Sequence, residues 1–405
     1  GSKEDVANAV IITNDGGFAI VGNTQSSDGD FSNKVRTGSD IFLMKFNAEA
    51  KLQWTKTYGG ADDDRGHGLV ELADNGFALI GYSKSSDGDA SINKGQHDNW
   101  VLRTDSKGNL LWEKSFGFFG HDHAYNIIAT SDGGLFFNGF LDVTASNGLG
   151  QNKKEAHFSA RHGIGEFWVH KIDLEGNLEW RRYFGGTSND RSYDAIQSKD
   201  NAYVVVGASE SQDVDIRNPR GSYDVWVIKI DSSGNLLWER SIGGSEYDKG
   251  NAIIETNAGE YLVLGHTFSS DGDVLSNAGS SDILLARLSP SGSFQGLKTL
   301  GDSGFDSAKA LVERPNGTLV LVGQRSSSNI SLGEQTINND VSLYYTLPNG
   351  SLMQSTNLSG PGLDQANDLV LTKKGKVIVV GSSESSSGDF KDSKGEKDIF
   401  IAFWY

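Results

Sequence analysis

No cysteine occurs in the 405 residues, which excludes a disulfide scaffold, Cys-ligated zinc, iron–sulfur clusters and a thiol nucleophile. Proline is scarce at 5 residues while glycine reaches 51, so the chain turns often without the composition of a Pro-rich linker or stalk. Cations are outnumbered, 36 Lys and Arg against 53 Asp and Glu. The resulting net charge of −17 opposes binding to the phosphate backbone of nucleic acid and to anionic lipid. No apolar run reaches the roughly 18 residues of a spanning helix, and membrane insertion is not expected. P-loop, nucleophile-elbow, His-Glu-x-x-His and Rossmann patterns are missing as well. The chain opens at Gly1-Ser2 without Met, which reads as a cloning remnant, so a signal peptide or lipid anchor is expected to precede it in the native protein.

What is present is a repeat. Hydrophobic residues make up 37% and aromatics 10%, enough for a packed core. A glycine closing a short apolar strand returns at Gly22, Gly81, Gly139, Gly207, Gly265, Gly323 and Gly381. An Asp opening the preceding strand keeps step at Asp5, Asp64, Asp122, Asp190, Asp248, Asp306 and Asp364. All intervals are 58 or 59 residues except one of 68, from Gly139 to Gly207. Seven units therefore fill residues 1–405 as a single domain.

Each unit reads as four strands rich in β-branched and aromatic residues, separated by hairpin signals such as Asp15-Gly16-Gly17 and Asn316-Gly317. Seven four-stranded antiparallel sheets are too many for one open sheet and are accommodated radially, which predicts an all-β, seven-bladed β-propeller. The last unit ends at Tyr405 before its Leu-x-Trp segment, so the last blade is expected to lack one strand.

The phrase Trp226-Val-Ile-Lys-Ile-Asp-Ser-Ser-Gly-Asn-Leu-Leu-Trp238, followed by Gly243-Gly244, Asp248 and an apolar strand reaching Ile253, resembles the SBBP-type β-propeller repeats of secreted and surface-anchored bacterial proteins common in the Bacteroidota. The resemblance covers all seven units. It implies the propeller fold and an extracellular or outer-membrane location, and says little about ligands, because the repeated residues are those that build blades.

Among the recurring residues, Trp54, Trp112, Trp180 and Trp238 occupy the same place in four units, one per unit, which favours packing between blades over sugar stacking. The seven Asp residues are expected to accept hydrogen bonds from their own loops, with a ring of ion ligands as the alternative. The loop after the second strand carries Ser-Ser-Asp-Gly-Asp in three units. Its carboxylate pairs, Asp28 and Asp30, Asp87 and Asp89, Asp271 and Asp273, make these loops candidates for structural calcium. The EF-hand glycine and terminal Glu are missing, and a solvated Asx-turn is the alternative. No cofactor is otherwise required.

The third unit departs most from its siblings. It carries an insertion of ten residues within 142–162, bringing Lys153, Lys154, His157, Arg161 and His162 into an acidic protein. In a propeller this loop opens on the same face as the loops that lead into the innermost strands. Those loops hold His121, His123, Arg65, His67, Arg191, Tyr193, Tyr247 and Lys249, with Phe118 and Phe119 as exposed aromatic faces. The corresponding loops of blades 6 and 7 hold no cation.

Two functions fit this sector. The first is a monomeric binding module that holds an anionic polysaccharide or a surface protein through Arg65, His67, Lys153, His157, Arg161, His162, Tyr247 and Lys249. The second is an enzyme, since the residue types are similar to those of seven-bladed polysaccharide lyases acting on uronate-containing glycans. In that case Arg191 or Arg65 neutralises the carboxylate, His123 or His121 takes the C5 proton, and Tyr193 protonates the leaving oxygen. A zinc variant would use His121 and His123 with a third ligand from the insertion.

Overall fold

The computed structural model describes residues 1–151, 162–331, 334–391 and 393–404. Apart from a single 3-10 turn, Gly29–Phe31, its regular elements are β-strands. Six sheets have four strands and one has three, each a meander of consecutive antiparallel neighbours. The blades span residues 5–58, 64–116, 123–184, 190–242, 248–300, 305–358 and 364–404, which makes the molecule a seven-bladed β-propeller. The missing strand is the outermost of blade 7, so closure falls to the inner strands. Asp5 donates its amide to the Lys397 carbonyl at 2.8 Å, and the Val10 amide reaches Asp368 Oδ2 at 2.9 Å. The amino terminus lies 3.8 Å from Asp398.

Burial explains why the inner strands read as unbroken apolar runs. The second and third strands, Phe77–Ser83 and Asp98–Thr104 for example, are buried along their full length, because a neighbouring blade covers each face. Seven apolar clusters lie between adjacent blades, the seventh joining blades 7 and 1. The recurrent tryptophans complete these seams. Trp54, Trp112, Trp180 and Trp238 each cover the left-handed glycine in the last hairpin of the following blade, at Gly108, Gly176, Gly234 and Gly292. Trp112 and Trp180 also donate their indole N–H to Leu174 and Ser232 carbonyls at 3.0 Å.

The seven Asp residues are all buried and hold the blade connections. Asp64 takes the Gly60 amide at 2.8 Å and the Ser85 hydroxyl at 2.8 Å. Asp190 takes the Gly186 amide and the Ser211 hydroxyl, and Asp248 those of Gly244 and Ser269. The first Ser of each Ser-Ser-Asp-Gly-Asp loop is thus a ligand of the buried Asp. The next carboxylate, at Asp28, Asp87 or Asp271, takes the amide of Ser2, Ala61 or Ser245. Asp89 and Asp273 pair with Arg36 and Arg220, and Asp30 lies in the 3-10 turn.

The recurrent glycine of the second strand serves the innermost strand. In every blade the pairing of first and second strand slips by one residue, after Ala7, Gly66, Ala124, Ser192, Gly250, Ala308 and Ala366. A Cβ on the facing glycine would strike a first-strand carbonyl in all seven blades. The skipped residue stands outside the ladder, which is how a β-bulge re-aims a side chain. It always lies three positions after the Asp, and all seven of these residues line the central channel.

Candidate functional site in the channel mouth

The bulged positions hold Asn8, Asn251 and Asn367 in three blades and His67, Tyr125, Tyr193 and Lys309 in the other four. They surround a cavity of about 520 Å³. Two residues earlier, at the mouth, stand Arg65, His123, Arg191 and Lys249. Their rings and cations form one chain of contacts around the sector from blade 2 to blade 6. His67 meets Tyr125 at 5.2 Å between ring centroids, and Tyr125 meets Tyr193 at 5.3 Å. His123 lies between Tyr82 at 4.3 Å and Phe140 at 5.0 Å. The Arg191 guanidinium covers Phe140 at 4.5 Å, and Lys249 Nζ stands 3.7 Å over the Tyr193 ring. Tyr247 packs against Tyr223 and against His266, the residue paired with Lys249 across the hairpin.

Electrostatically this sector is strained toward positive charge. Burial, with Lys309 and Arg191 nearby, pushes the Lys249 ammonium down to about 7. Burial alone lowers Lys309. His266 falls to about 3 through burial and the two lysines, and His67 to about 4 through burial and Arg65. Among the described residues, no carboxylate stands within ion-pair distance of Arg191, Lys249 or Lys309. Arg65 is different, because its Nε donates to both oxygens of Asp63 at 3.1 Å.

A second group stands at the junction of blades 2 and 3. His97 Nδ1 is 2.9 Å from His123 Nε2 and 3.0 Å from His121 Nδ1. The expected zinc variant took its third ligand from the insertion. The third imidazole here is His97, from the loop before the third strand of blade 2. Burial and the neighbouring histidines hold His123 down to about 3, so its ring is neutral at physiological pH.

The structure brings together His121, His123, Arg191, Tyr193, Tyr247, Lys249 and His67, as the order of the loops predicts. It places others elsewhere. His162 is buried, with Nδ1 3.2 Å from Glu166 and its ring edge-on to Tyr183, and is not open to the channel. Phe118 packs on Trp168 and under Arg181, leaving Phe119 as the exposed ring of that pair. Lys153, His157 and Arg161 lie outside the described residues. The flanks of the insertion are on the expected face, with Asp142 and Ala145 against Gly120 and the Gly150 carbonyl accepting the Trp168 indole N–H at 2.9 Å. The entry loops of blades 6 and 7 hold no cation, but Lys309 enters the channel from the first strand of blade 6, beyond its loop.

Several participants escaped the sequence reading: His97 and Lys309, and the rings of Tyr82, Phe140, Tyr223 and His266. A positional signal exists for two of them. His97 precedes Asp98 as His121 precedes Asp122, and Lys309 follows Asp306 by three as His67 follows Asp64.

No family model matches the chain. Regulatory protein FlaEY of Caulobacter vibrioides is 22% identical over 270 residues, covering 60% of this chain and 28% of that protein. The chain thus spans under a third of the length of the curated relative it matches. Among solved structures, the Pan2 WD40 domain of Neurospora crassa is 10% identical with a TM-score of 0.47, over 92% of this chain and 85% of that one. The β-propeller domain of the Trilobed protease from Pyrococcus furiosus is 11% identical with a TM-score of 0.46, over 99% of this chain and 94% of that one. Likenesses this distant carry no functional argument, and the architecture rests on the strand pairing itself.

Proposed function

We infer that the protein is a cell-surface binding module that holds an anionic glycan in the mouth of its channel. The observation that carries this reading is the convergence of Arg191, Lys249 and Lys309 with no carboxylate partner among the described residues. A protein of net charge −17 that sets two partly buried lysines, Lys249 and Lys309, beside the exposed Arg191 incurs a desolvation cost at the lysines that an anionic ligand relieves. The half-buried Tyr193 supplies an aromatic ring for a sugar beside those cations, which favours a uronate or sulfated glycan over an acidic protein segment.

Elimination chemistry gains less. It asks His123 to take a proton, yet that ring is sandwiched by Tyr82 and Phe140 and its Nε2 is engaged with His97.

Calorimetric titration with uronate and sulfated oligosaccharides tests the reading. Arg191→Ala and Lys249→Ala should each weaken binding about tenfold, or 1.4 kcal/mol, at unchanged thermal stability for Arg191→Ala. Equal affinities for parent and variants across such glycans overturn it. Appearance of an ultraviolet-absorbing unsaturated product, lost in His123→Ala, would establish the lyase instead.

A further inference from the structure

We propose that His97, His121 and His123 form a binding site for a zinc-type divalent transition metal at the junction of blades 2 and 3. Their candidate ligand nitrogens all lie within 4.8 Å of one another. Among the described residues this is the one group of three or more His, Asp or Glu side chains so placed.

Backbone geometry explains the convergence. The residue before each third-strand Asp forms a parallel bridge with the residue before the next blade's first-strand Asp. These pairs are Ser39 with Asp63, Tyr223 with Tyr247, Ser281 with Phe305, Asn339 with Leu363, Lys397 with Glu4 and His97 with His121. Only the last pairs two metal-binding side chains of the same kind, and the Asp122 amide locks it by donating to the His97 carbonyl at 2.9 Å. His123 lies two residues beyond His121 on an extended segment, so its side chain projects to the same side.

The distances suit a metal. Two nitrogens on one tetrahedral zinc, each at about 2.0–2.1 Å, stand roughly 3.3–3.4 Å apart. The observed 2.9 and 3.0 Å need an opening of a few tenths of an ångström, and the His121–His123 pair, within 4.8 Å, must settle to the same separation by rotation of the exposed His121 ring. Tyr82 contacts two of the three rings, His123 at 4.3 Å and His97 at 4.6 Å between centroids, and so limits their rotation. Arg65 and Lys84 bring positive charge toward His97, with Asp63 opposing them. Neutral imidazoles without a thiolate suit zinc, copper, nickel or cobalt better than calcium or magnesium. Three protein ligands leave at least one position for water or a ligand oxygen, and the exposed His121 keeps that side accessible. The site does not depend on the glycan reading. With no metal, His97 Nδ1 can instead make one hydrogen bond, as donor or acceptor, to one of its two neighbours, and that arrangement is the competing explanation of the same distances.

The test uses untagged protein stripped with a chelator and titrated with zinc, and separately with cobalt(II). One ion per chain is expected, with the intense visible absorption of four-coordinate cobalt. His121→Ala, at an exposed position, and His97→Asn should each lower zinc affinity about 100-fold or more and abolish the cobalt spectrum. Melting of the metal-free His121→Ala variant should match the metal-free parent. If the parent takes up no stoichiometric zinc, or parent and His121→Ala bind it equally, the three rings are a hydrogen-bonded cluster and the proposal fails.

Discussion

One position on the innermost strands is put to two uses. In blades 1, 5 and 7 it holds asparagine, and Asn8, Asn251 and Asn367 donate their side-chain amides to the Gly66, Ala308 and Ala7 carbonyls of the next blade at 2.7, 2.8 and 2.8 Å. In blades 2, 3, 4 and 6 the same position holds His67, Tyr125, Tyr193 and Lys309, which line the channel. Blades 3 and 4 show how the position is freed. Asn126 takes over the inter-blade bond to the Ala195 carbonyl at 2.8 Å, and Asp194 accepts the Ile253 amide at 2.9 Å. Inter-blade hydrogen bonding and the placing of aromatic or cationic side chains in the channel thus compete for one bulge, and moving the stitch one residue along the strand lets both exist.

Removing a displaced stitch should have the largest effect. Asp194 accepts from Asn126, the Ala195 amide and the Ile253 amide, so Asp194→Ala leaves three donors without their partner. It should lower the unfolding free energy by about 3 kcal/mol or more, measured by chemical denaturation. An unchanged midpoint would mean that water replaces the carboxylate and that the stitch is dispensable.

On the other side of the comparison, Lys309→Met should weaken anionic-glycan binding about tenfold while leaving the denaturation midpoint equal or higher, because an uncompensated buried cation is removed. Lower stability in this variant would place Lys309 with the asparagines. Asn251→Ala should show the reverse, a loss of about 1 kcal/mol in stability with glycan affinity intact.

A further effect is one of pH. Lys249 is pushed from 10.5 to about 7, so between those values the unfolded chain binds more protons than the folded one. The penalty of burying the ammonium is full below pH 7 and vanishes above about pH 10.5. Lys249→Met should therefore be more stable than the parent at pH 6 and indistinguishable from it at pH 10.5. Binding of an anion to the parent should also weaken as pH rises through 7. A stability difference that does not vary with pH would show that Lys249 keeps its ordinary basicity.

The repeat spacing alone was enough for blade number, strand number and the short last blade, because each unit must bury two faces of its middle strands and only a ring of such units does so without open edges. The structural Asp residues, in all seven units, and the tryptophans, in the first four, were readable for the same reason, since recurrence at one place in successive units points to a shared duty. So was the cationic sector, since loop order around a propeller follows chain order and puts blades 2 to 5 side by side. Tertiary structure alone decided which of those side chains act together. It took Arg65 out of the free cations by pairing it with Asp63, buried His162 against Glu166, and turned Lys309 inward through a bulge. It also set His97 beside His121 across 24 residues through a parallel bridge between blades. Those outcomes depend on distances between blades, and a distance of that kind is set by packing of whole sheets, on which the local sequence pattern is silent.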